Sequence, residues 1–531
     1  MFARIIPGDS GVFVNLENYW IWGKIPVRIE RPPQILEIAM LGKTLKFSSL
    51  AFLSGMLLAG TVLAGPVYQP PGANLTLGDV THGKRILSAS SNPAAAAADR
   101  ARASGKPVRG TVISASAGLE YGNVQNLFDL YNELTQAYAP SDPGTGGGPG
   151  QNPDDKPDDG INIGDILDQI NPDIGEALDA IVAEVAAQTA LLLLIKEEGY
   201  AKAWVAADVP FVFDKQWLGG TWTLGLNWSG SSKAYGLTQE IEFDRDAAQQ
   251  AIEDWVNTQI TDRPVQLPIS DDIVLTPRPG LNEVFFAVTN DSSLLSKSTQ
   301  TTEFSFSYSR EAMSAESGNL FFGARANIYL KQLSRVSVRF GDITDSEELF
   351  DAIRDADFRT DEGAGLDLGL LWVADNYQLG AQVTNINEPV FRFPDVNLEA
   401  YNSVEAIQFL ESDAIYTLDR QLKLEASIFT TDRRWSAHLG YDVDPVTEPM
   451  GDRFQWFTLS GGLTTNSWWI PSVRVGYRQN LAGTELGYVS LGATLFKYVN
   501  IDIASALDTV RIDGQKLPQG LMASIGFEIS W

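Results

Sequence analysis

Residues 521–531 decide the fold of this chain, and they read Leu521-Met522-Ala523-Ser524-Ile525-Gly526-Phe527-Glu528-Ile529-Ser530-Trp531. Every second residue of this stretch is apolar, and the residues between them are small or polar apart from Met522. A period of two is typical of a β-strand with one apolar and one polar face, because successive side chains point to opposite sides. The stretch therefore predicts a strand that ends on an aromatic residue.

The same alternation recurs along most of the chain. It predicts an all-β protein, a transmembrane antiparallel β-barrel of about sixteen strands, with fourteen as the alternative. A soluble β-sandwich can show this alternation too, but the number of long strands and the Trp and Tyr residues near strand ends favour a barrel. A barrel places the charged residues of the polar faces in the lumen. These residues are Arg325, Arg335, Arg339, Asp367, Lys423, Glu425, Arg474, Arg478, Asp502 and Glu528.

The lengths of the connections give an independent test, because outer-membrane barrels alternate short periplasmic turns with longer extracellular loops. Short turns are predicted at 214–216, 331–332, 375–376, 431–433, 466–467 and 497–498. Long connections are predicted at 122–199, 231–280, 342–362, 388–420, 444–454 and 508–519, and the turn at 291–300 is longer than the rule expects. The last strand then runs toward the periplasm and closes the barrel on the first strand, around Ile113 to Leu119.

The terminal strand resembles the strand by which outer-membrane β-barrels are recognised and inserted. The resemblance implies that Phe527, Ile529 and Trp531 form the insertion signal for the barrel-assembly machinery. It also implies that the outward face contacts outer-membrane lipid, in the cell outer membrane of a Gram-negative organism.

The N-terminal part of the chain points to the same compartment. Residues 40–64 are typical of a secretory signal peptide, with a basic start, an apolar run and a small-residue cleavage site. A membrane-spanning helix is the alternative, but the apolar run is short and contains glycines and serines. Because residues 1–39 have no role ahead of a signal peptide, we expect translation to start at Met40 and this stretch to be a mis-assigned extension.

The composition excludes several functions. The chain has no cysteine, which excludes a lipoprotein anchor, disulfides and thiol chemistry. Its net charge of −28 makes it a poor partner for nucleic acid, since phosphates would be repelled. With only two histidines, His82 and His438, and no Gly-x-Ser-x-Gly motif, we expect no metal site, no cofactor and no catalysis.

The long connection 122–199 contains two unusual segments. Residues 141–160 are rich in Gly, Pro and Asp and predict a solvated acidic surface excursion; a calcium loop is the less favoured alternative. Residues 174–198 predict a helix that packs on the extracellular rim or, less favoured, caps the lumen beside the entrance of an apolar ligand. Residues 244–259 predict a second loop helix.

The N-terminal segment resembles two related families. Asn92-Pro93-Ala94 is similar to the motif at the start of barrels in the long-chain fatty-acid transporter family, where a short segment folds into the lumen as a hatch. The chain is more similar still to conjugal-transfer TraF-type outer-membrane proteins. That resemblance is carried by residues 69–74, 91–97, 473–478 and 500–504 and by Gly160, Asn162 and Asp165. It implies a hatch-like segment at 65–107 and a barrel over 108–531.

Three functions remain after these observations. The first is a channel or transporter that passes small hydrophobic molecules by a hatch-gated route, as the fatty-acid-transporter likeness implies. This function predicts a plugged lumen with an apolar pocket near the rim helix. The alternative is a structural or surface-interaction barrel in envelope assembly or conjugal transfer, which predicts a fully packed lumen. An outer-membrane enzyme is disfavoured for the reasons given above.

Overall fold

A computed structural model describes most of the chain after residue 70. The described residues are 71–82, 86–102, 109–122, 199–213, 216–257, 267–270, 272–278, 283–340, 353–465, 467–512 and 515–530, with positions 181, 182, 185, 186, 189 and 192. Residues 1–64, Trp531 and most of the connection 122–199 lie outside this part, so the predictions made for them stay predictions. None of the helices within the described ranges is long and apolar enough to cross a membrane.

Fourteen strands form one closed antiparallel barrel. They are β1 (Gly110–Tyr121), β2 (Tyr200–Val212), β3 (Thr221–Leu237), β7 (Ser293–Ala315), β8 (Gly318–Arg339), β9 (Arg359–Val373), β10 (Tyr377–Thr384), β13 (Gln421–Phe429), β14 (Trp435–Asp442), β17 (Trp456–Leu463), β18 (Ser472–Asn480), β19 (Gly487–Leu495), β20 (Val499–Ala506) and β23 (Gly520–Ser530). Small sheets outside the barrel contain β4 (Leu267–Ser270), β5 (Ile273–Arg278), β6 (Glu283–Val288), β11 (Val390–Arg392), β12 (Ile415–Thr417), β15 (Val446–Thr447), β16 (Arg453–Phe454), β21 (Thr509–Ile512) and β22 (Gln515–Pro518). The described helices are α1 (Asn74–Leu77), α2 (Ser88–Ser91), α3 (Ala95–Arg102), α4 (Arg245–Asn257) and α5 (Val404–Ser412), with a 3-10 turn at Leu398–Ala400.

The first and last strands close the barrel in the predicted place. Ile113 pairs with Phe527 and Leu119 with Leu521, in unbroken antiparallel register. We call the end of the barrel that holds Gly110 the turn end, because the short connections lie there, and the opposite end the loop end. Long connections such as 385–420 all lie at the loop end, in the alternation that the sequence predicts.

The strand number is fourteen, the alternative count, and two predicted strands account for the difference. The stretch after residue 280 forms β6, which pairs with β5 in a small sheet outside the barrel. The turns predicted at 291–300 and 331–332 are wrong. Residues 293–300 lie inside β7, and residues 331–332 lie inside β8 and pair with Gln300 and Thr301 of β7. β7 and β8 are 23 and 22 residues long, whereas a tilted strand crosses a bilayer in about 9–11 residues. Each of these long strands therefore contains two alternating stretches, which periodicity alone would count as two separate strands.

The outer face of the barrel is apolar and exposed, as a lipid-facing surface requires. On the terminal strand, Ile525 is 57% exposed and Phe527 is 43% exposed. Every neighbouring strand repeats the pattern. Members of this exposed band include Ile113, Leu224, Leu226, Phe304, Phe306, Ile328, Leu366, Leu368, Leu370, Leu379, Leu424, Leu439, Leu459, Val473, Val475, Val489, Leu491, Ile501 and Ile503.

The connections at the loop end carry a small apolar core of their own. Helix α4 matches the predicted helix 244–259 and begins after Asp244, whose carboxylate accepts hydrogen bonds from the N–H groups of Asp246 and Ala247. The described positions of the predicted helix 174–198 pack into the same core, which favours a packed helix over one that caps the lumen. The buried members of this apolar core are Ile181, Val185, Leu192, Ile241, Ala248, Ile252, Ile269, Ile273, Leu275, Val288 and Phe340.

Candidate functional site

We call residues 71–102 the inner segment, and its described residues, 71–82 and 86–102, lie inside the barrel against walls on several sides. Helices α1 and α2 have only four residues each, so most of the backbone polar groups around them cannot pair within a helix. Side chains of the barrel wall supply partners instead. The Gly72 N–H donates to Ser524 Oγ at 2.6 Å, and Ser460 Oγ donates to the Leu77 carbonyl at 2.8 Å. Polar contacts therefore dock the segment on the wall.

The Asn92-Pro93-Ala94 turn rests on two glycines of the barrel wall. Gly323 of β8 and Gly369 of β9 are paired in register. A Cβ added to Gly323 would lie 2.3 Å from the Pro93 carbonyl group, and one added to Gly369 would lie 2.2 Å from Asn92 Oδ1. The turn can approach this closely only because neither wall residue has a side chain. The Asn92 Oδ1 atom also accepts a hydrogen bond from the Ala94 N–H at 2.9 Å, just before α3.

Glu425 of β13 joins two distant parts of the inner segment. Its carboxylate accepts hydrogen bonds from the backbone N–H and, at 2.8 Å, from the hydroxyl of Thr81. It also accepts one from Asn92 Nδ2 at 2.9 Å. Hydrogen bonds to a charged acceptor are the stronger kind, so Glu425 is a principal contact between the wall and the inner segment.

Lys423, also on β13, pairs with Asp79 of the inner segment at 2.9 Å. Burial alone would raise the pKa of the Asp79 carboxyl, but the Lys423 ammonium, together with the Ser91 hydroxyl and the Arg325 guanidinium, outweighs burial and lowers that pKa below its ordinary value of 3.8. Asp79 is therefore ionised at neutral pH, and the ion pair forms a third link between the segment and β13.

On the opposite wall, Asp502 of β20 accepts a hydrogen bond from the Thr76 hydroxyl at 2.5 Å. Arg474 of β18 orients this carboxylate through two guanidinium contacts, of which the Nε donation measures 2.7 Å. A Cβ on Gly476 would lie 2.1 Å from the Thr76 carbonyl oxygen, so α1 also needs a bare wall. Arg474 and Asp502 are both buried, and each neutralises the charge of the other. Burying either charge alone would be costly.

Two further predicted residues hold the middle of the segment. Arg325 of β8 donates to the Ser90 carbonyl at 2.6 Å, while its Nε donates to Asp367 at 2.8 Å. Glu528 of the terminal strand accepts a hydrogen bond from the Ile86 N–H at 2.9 Å. Arg325 and Glu528 thus join Lys423, Glu425 and Asp502 in contacting the inner segment.

The two histidines of the chain meet in the lumen, which the sequence did not indicate. The ring centroids of His82 and His438 are 4.9 Å apart in an edge-to-face arrangement. His438 contacts the hydroxyls of Ser427 at 2.8 Å and Ser436 at 3.0 Å. The His82–His438 contact joins the inner segment to β14, and the Ser427 contact joins β14 to β13.

Arg335 and Arg339 contact the loops, and Arg478 contacts an aromatic ring of the barrel wall. Arg335 donates to the Leu410 carbonyl at 2.5 Å and Arg339 to Asp291 at 3.4 Å, both at the loop end. The Arg478 guanidinium lies 4.1 Å over the ring of Trp456. The predicted lumen set therefore includes residues that hold the inner segment, residues that hold the loops, and Arg478, which packs on Trp456 of β17.

The connections 385–420 and 443–455 fold over the loop end and cover it with an apolar layer. Its rings include a stacked pair, Phe391 and Tyr416, with centroids 6.2 Å apart. Lys331 is fully buried below this pair and donates to Thr301 Oγ1 at 3.0 Å. The members of the layer are Tyr329, Leu333, Phe391, Phe393, Tyr416, Leu418 and Met450.

Between this layer and the inner segment lies a cavity of about 180 Å³. Charged side chains from both walls line it, among them Asp208, Glu303, Arg325, Asp442 and Arg478. It is polar because the inward positions of the strands are polar, so it differs from the apolar pocket that the transporter interpretation expects. Within the described ranges, the acidic and histidine side chains form no cluster that could hold a metal ion.

Three lysines on the inner wall, Lys202, Lys233 and Lys297, were not predicted from the sequence, because only the register between strands aligns them. Lys202 and Lys233 both pair with Asp452 of the connection 443–455. Burial would raise the pKa of Asp452, but these two ammonium groups outweigh it and lower that pKa. The sequence signal that could have identified them is a lysine at an alternating, inward-facing position of each strand.

Comparison with known proteins gives one family. The family described as "F plasmid transfer operon, TraF, protein" matches residues 89–442, two thirds of the chain. The match begins just before the Asn92-Pro93-Ala94 turn and runs to the end of β14. No curated protein matches the chain.

Similar solved structures are barrels. A "TodX deltaS2S3 mutant monoaromatic hydrocarbon channel" shares 10% identity at a TM-score of 0.41, covering 87% of this chain and 99% of that one. The Pseudomonas putida toluene transporter TodX shares 11% identity at a TM-score of 0.35, covering 89% and 99%. Similarity at this level leaves the substrate open.

Proposed function

This chain belongs to the F plasmid transfer operon TraF protein family, and we propose that it is an outer-membrane channel or transporter whose inner segment acts as a hatch. In this proposal the loop end is extracellular and the turn end is periplasmic. The inner segment, with its Asn92-Pro93-Ala94 turn, moves to open a route through the barrel. The observation that carries the proposal is the polar docking of the segment on the lumen wall.

Polar docking suits a part that must leave and return. A hydrogen bond contributes only about 0.5–1.5 kcal/mol net, because both partners bind water when it breaks. Displacing the inner segment into water therefore exposes Glu425, Lys423 and Asp502 to hydration rather than stranding them. The inner segment also packs apolar side chains such as Leu75, Leu87 and Ala94 against the wall, and exposing them costs about 25 cal/mol for every Å².

The proposed substrates are small hydrophobic molecules, and the apolar layer at the loop end supports this class. Phe391, Phe393 and Tyr416 are buried in this layer, above the polar cavity. An apolar solute gains from burial against such rings, whereas the cavity below would hold a polar group. The connections 385–420 and 443–455 must open for this contact to form.

The same proposal covers localisation and assembly. The exposed apolar band contacts outer-membrane lipid, and Phe527, Ile529 and Trp531 act as the insertion signal for the barrel-assembly machinery. The regular pairing of β23 with β1 supports this, because β23 is one of the two strands that close the barrel.

The test is a deletion of residues 71–102 in the mature chain, measured as ion conductance in planar lipid bilayers. We expect conductance to rise well above that of the intact protein, since β1 and β23 close the barrel without the segment. Retention of heat-resistant migration in detergent gels controls for folding of the barrel. Conductance that stays at the intact level in a folded barrel would remove the hatch proposal.

The alternative is a structural or surface-interaction barrel in envelope assembly or conjugal transfer. The inner segment leaves only a small cavity in the lumen, and this favours the structural or surface-interaction function. Native mass spectrometry of the purified protein separates the two functions. Co-purified fatty acid or another apolar ligand supports transport, and a barrel that binds no apolar ligand supports interaction.

A further inference from the structure

Four cations stand side by side on the inner wall at the loop end. Lys202 of β2 pairs in register with Lys233 of β3, Lys233 with Lys297 of β7, and Lys297 with Arg335 of β8. We call these four residues the basic row. Neighbouring strands are about 4.8 Å apart, so the row spans about 14 Å along the wall.

Such a row is unfavourable on its own. Like charges directly opposite each other on neighbouring strands repel, and these side chains are largely shielded from water. The exposed fraction is 3% for Lys202, 12% for Lys233, 3% for Lys297 and 2% for Arg335. Buried cations at this density need counter-charges held close to them.

Two loops supply those counter-charges. Glu448 and Asp452 of the connection 443–455 pair with Lys202, at 3.1 Å for Asp452. Asp452 also pairs with Lys233. Asp413 of the connection 385–420 pairs with Lys297 at 2.7 Å and lies 3.5 Å from Arg335. Three loop carboxylates therefore lie along four wall cations.

The loop carboxylates leave some polar atoms around the basic row without hydrogen-bond partners among the described residues. Arg335 Nε, which is buried, has no hydrogen-bond partner among the described residues, and neither has Oδ2 of Asp413. Glu120 of β1 is next in register to Lys202, but its carboxylate binds the hydroxyls of Tyr200 and Tyr488. When the loops withdraw, the row carries an excess of positive charge facing the open end of the lumen.

We propose that the basic row is a binding site for an extended oxyanion, and that the loop carboxylates occupy it in the closed state. The ligand class is a soluble molecule with several phosphate or carboxylate groups in line, because the row is linear and its present occupants are three separate carboxylates. This site lies apart from the hatch contacts and does not rest on transport of a hydrophobic molecule.

The experiment measures binding of inorganic tripolyphosphate to the full mature barrel by isothermal titration calorimetry, with orthophosphate and citrate as comparison anions. Glu448→Gln with Asp452→Asn removes two competing carboxylates, and we expect it to tighten tripolyphosphate binding about tenfold or more. Lys233→Gln in that background should weaken binding by a similar factor. Lys516→Gln, an exposed lysine on β22, is the matched control and should leave the affinity unchanged.

The outcomes are distinct from those of the hatch test. Binding of tripolyphosphate alone assigns a phosphate ligand, and equal binding of citrate assigns a polycarboxylate. Absence of tripolyphosphate and citrate binding in the Glu448→Gln, Asp452→Asn variant means that the pairs only fasten the loops, which overturns the proposal. So does an affinity that Lys233→Gln leaves unchanged, or orthophosphate binding as tight as that of the longer anions. A barrel that never opens its hatch can still bind the anion.

Discussion

The contact between the Asn92-Pro93-Ala94 turn and the wall allows a sharp test with one methyl group, Gly323→Ala. The new Cβ would lie 2.3 Å from the Pro93 carbonyl group and 2.6 Å from the Ala94 nitrogen. These are backbone atoms, which cannot rotate away as a flexible side chain can. The turn must therefore move inward by about 1 Å to reach ordinary van der Waals contact.

A displacement of that size breaks the contacts that the turn makes. The hydrogen bond from Asn92 to the Glu425 carboxylate contributes about 2 kcal/mol, and that from the Ala97 N–H to Ser309 about 1 kcal/mol. Each buried methyl of Ala94 and Ala97 adds about 0.8 kcal/mol. The docked state thus loses about 4.6 kcal/mol, which corresponds to about a two-thousandfold change in the ratio of docked to released segment.

The assay combines single-channel conductance with amide hydrogen exchange of residues 86–102. Gly323→Ala should increase opening events and accelerate exchange in α3, while exchange in the barrel strands stays slow. Gly230→Ala is the matched control, because its new Cβ has no neighbour closer than 3.7 Å. Exchange and conductance in Gly323→Ala that equal those of Gly230→Ala would refute the close docking of the turn.

Three further changes test other contacts. Glu425→Gln removes the charged acceptor of Thr81 and Asn92 and should destabilise docking by about 1–3 kcal/mol, seen as faster exchange at 79–94; Glu316→Gln in an exposed turn should change nothing. Asp79 has a lowered pKa, so its ion pair stabilises docking at neutral pH and is lost as pH falls below 3.8; conductance should rise there in the native protein, and a rise of equal size in Asp79→Asn would exclude this pair as the cause. Phe391→Ala should loosen the connection 385–420 by about 3–5 kcal/mol, measured by exchange of that loop, against less than about 0.5 kcal/mol for the exposed Phe496→Ala.

Much of the fold follows from the sequence. The alternation in residues 521–531 predicted the terminal strand, its outward face and its pairing with β1, because a period of two has only one geometric explanation in an extended chain. The length of the connections predicted which of them share one end of the barrel. These are local properties, and local sequence patterns record them.

Strand number was less well determined, because alternation does not show where a sheet leaves the barrel. Residues 283–288 are mostly apolar, as in a barrel strand, yet they pair with β5 in a small sheet outside the barrel. Residues 331–332 carry polar side chains in a row, as a turn would, yet they continue β8. Only hydrogen-bond partners distinguish these cases, and partners are chosen in three dimensions.

The candidate site shows the same division. The sequence determined which residues face inward, since inward charges such as Glu425 and Arg325 occupy alternate strand positions. The tertiary structure decided what each one meets: the inner segment for Glu425, the loops for Arg335. It also brought Lys202, Lys233, Lys297 and Arg335 into one row, because register between strands far apart in sequence is set by the closure of the whole barrel and is written in no single strand.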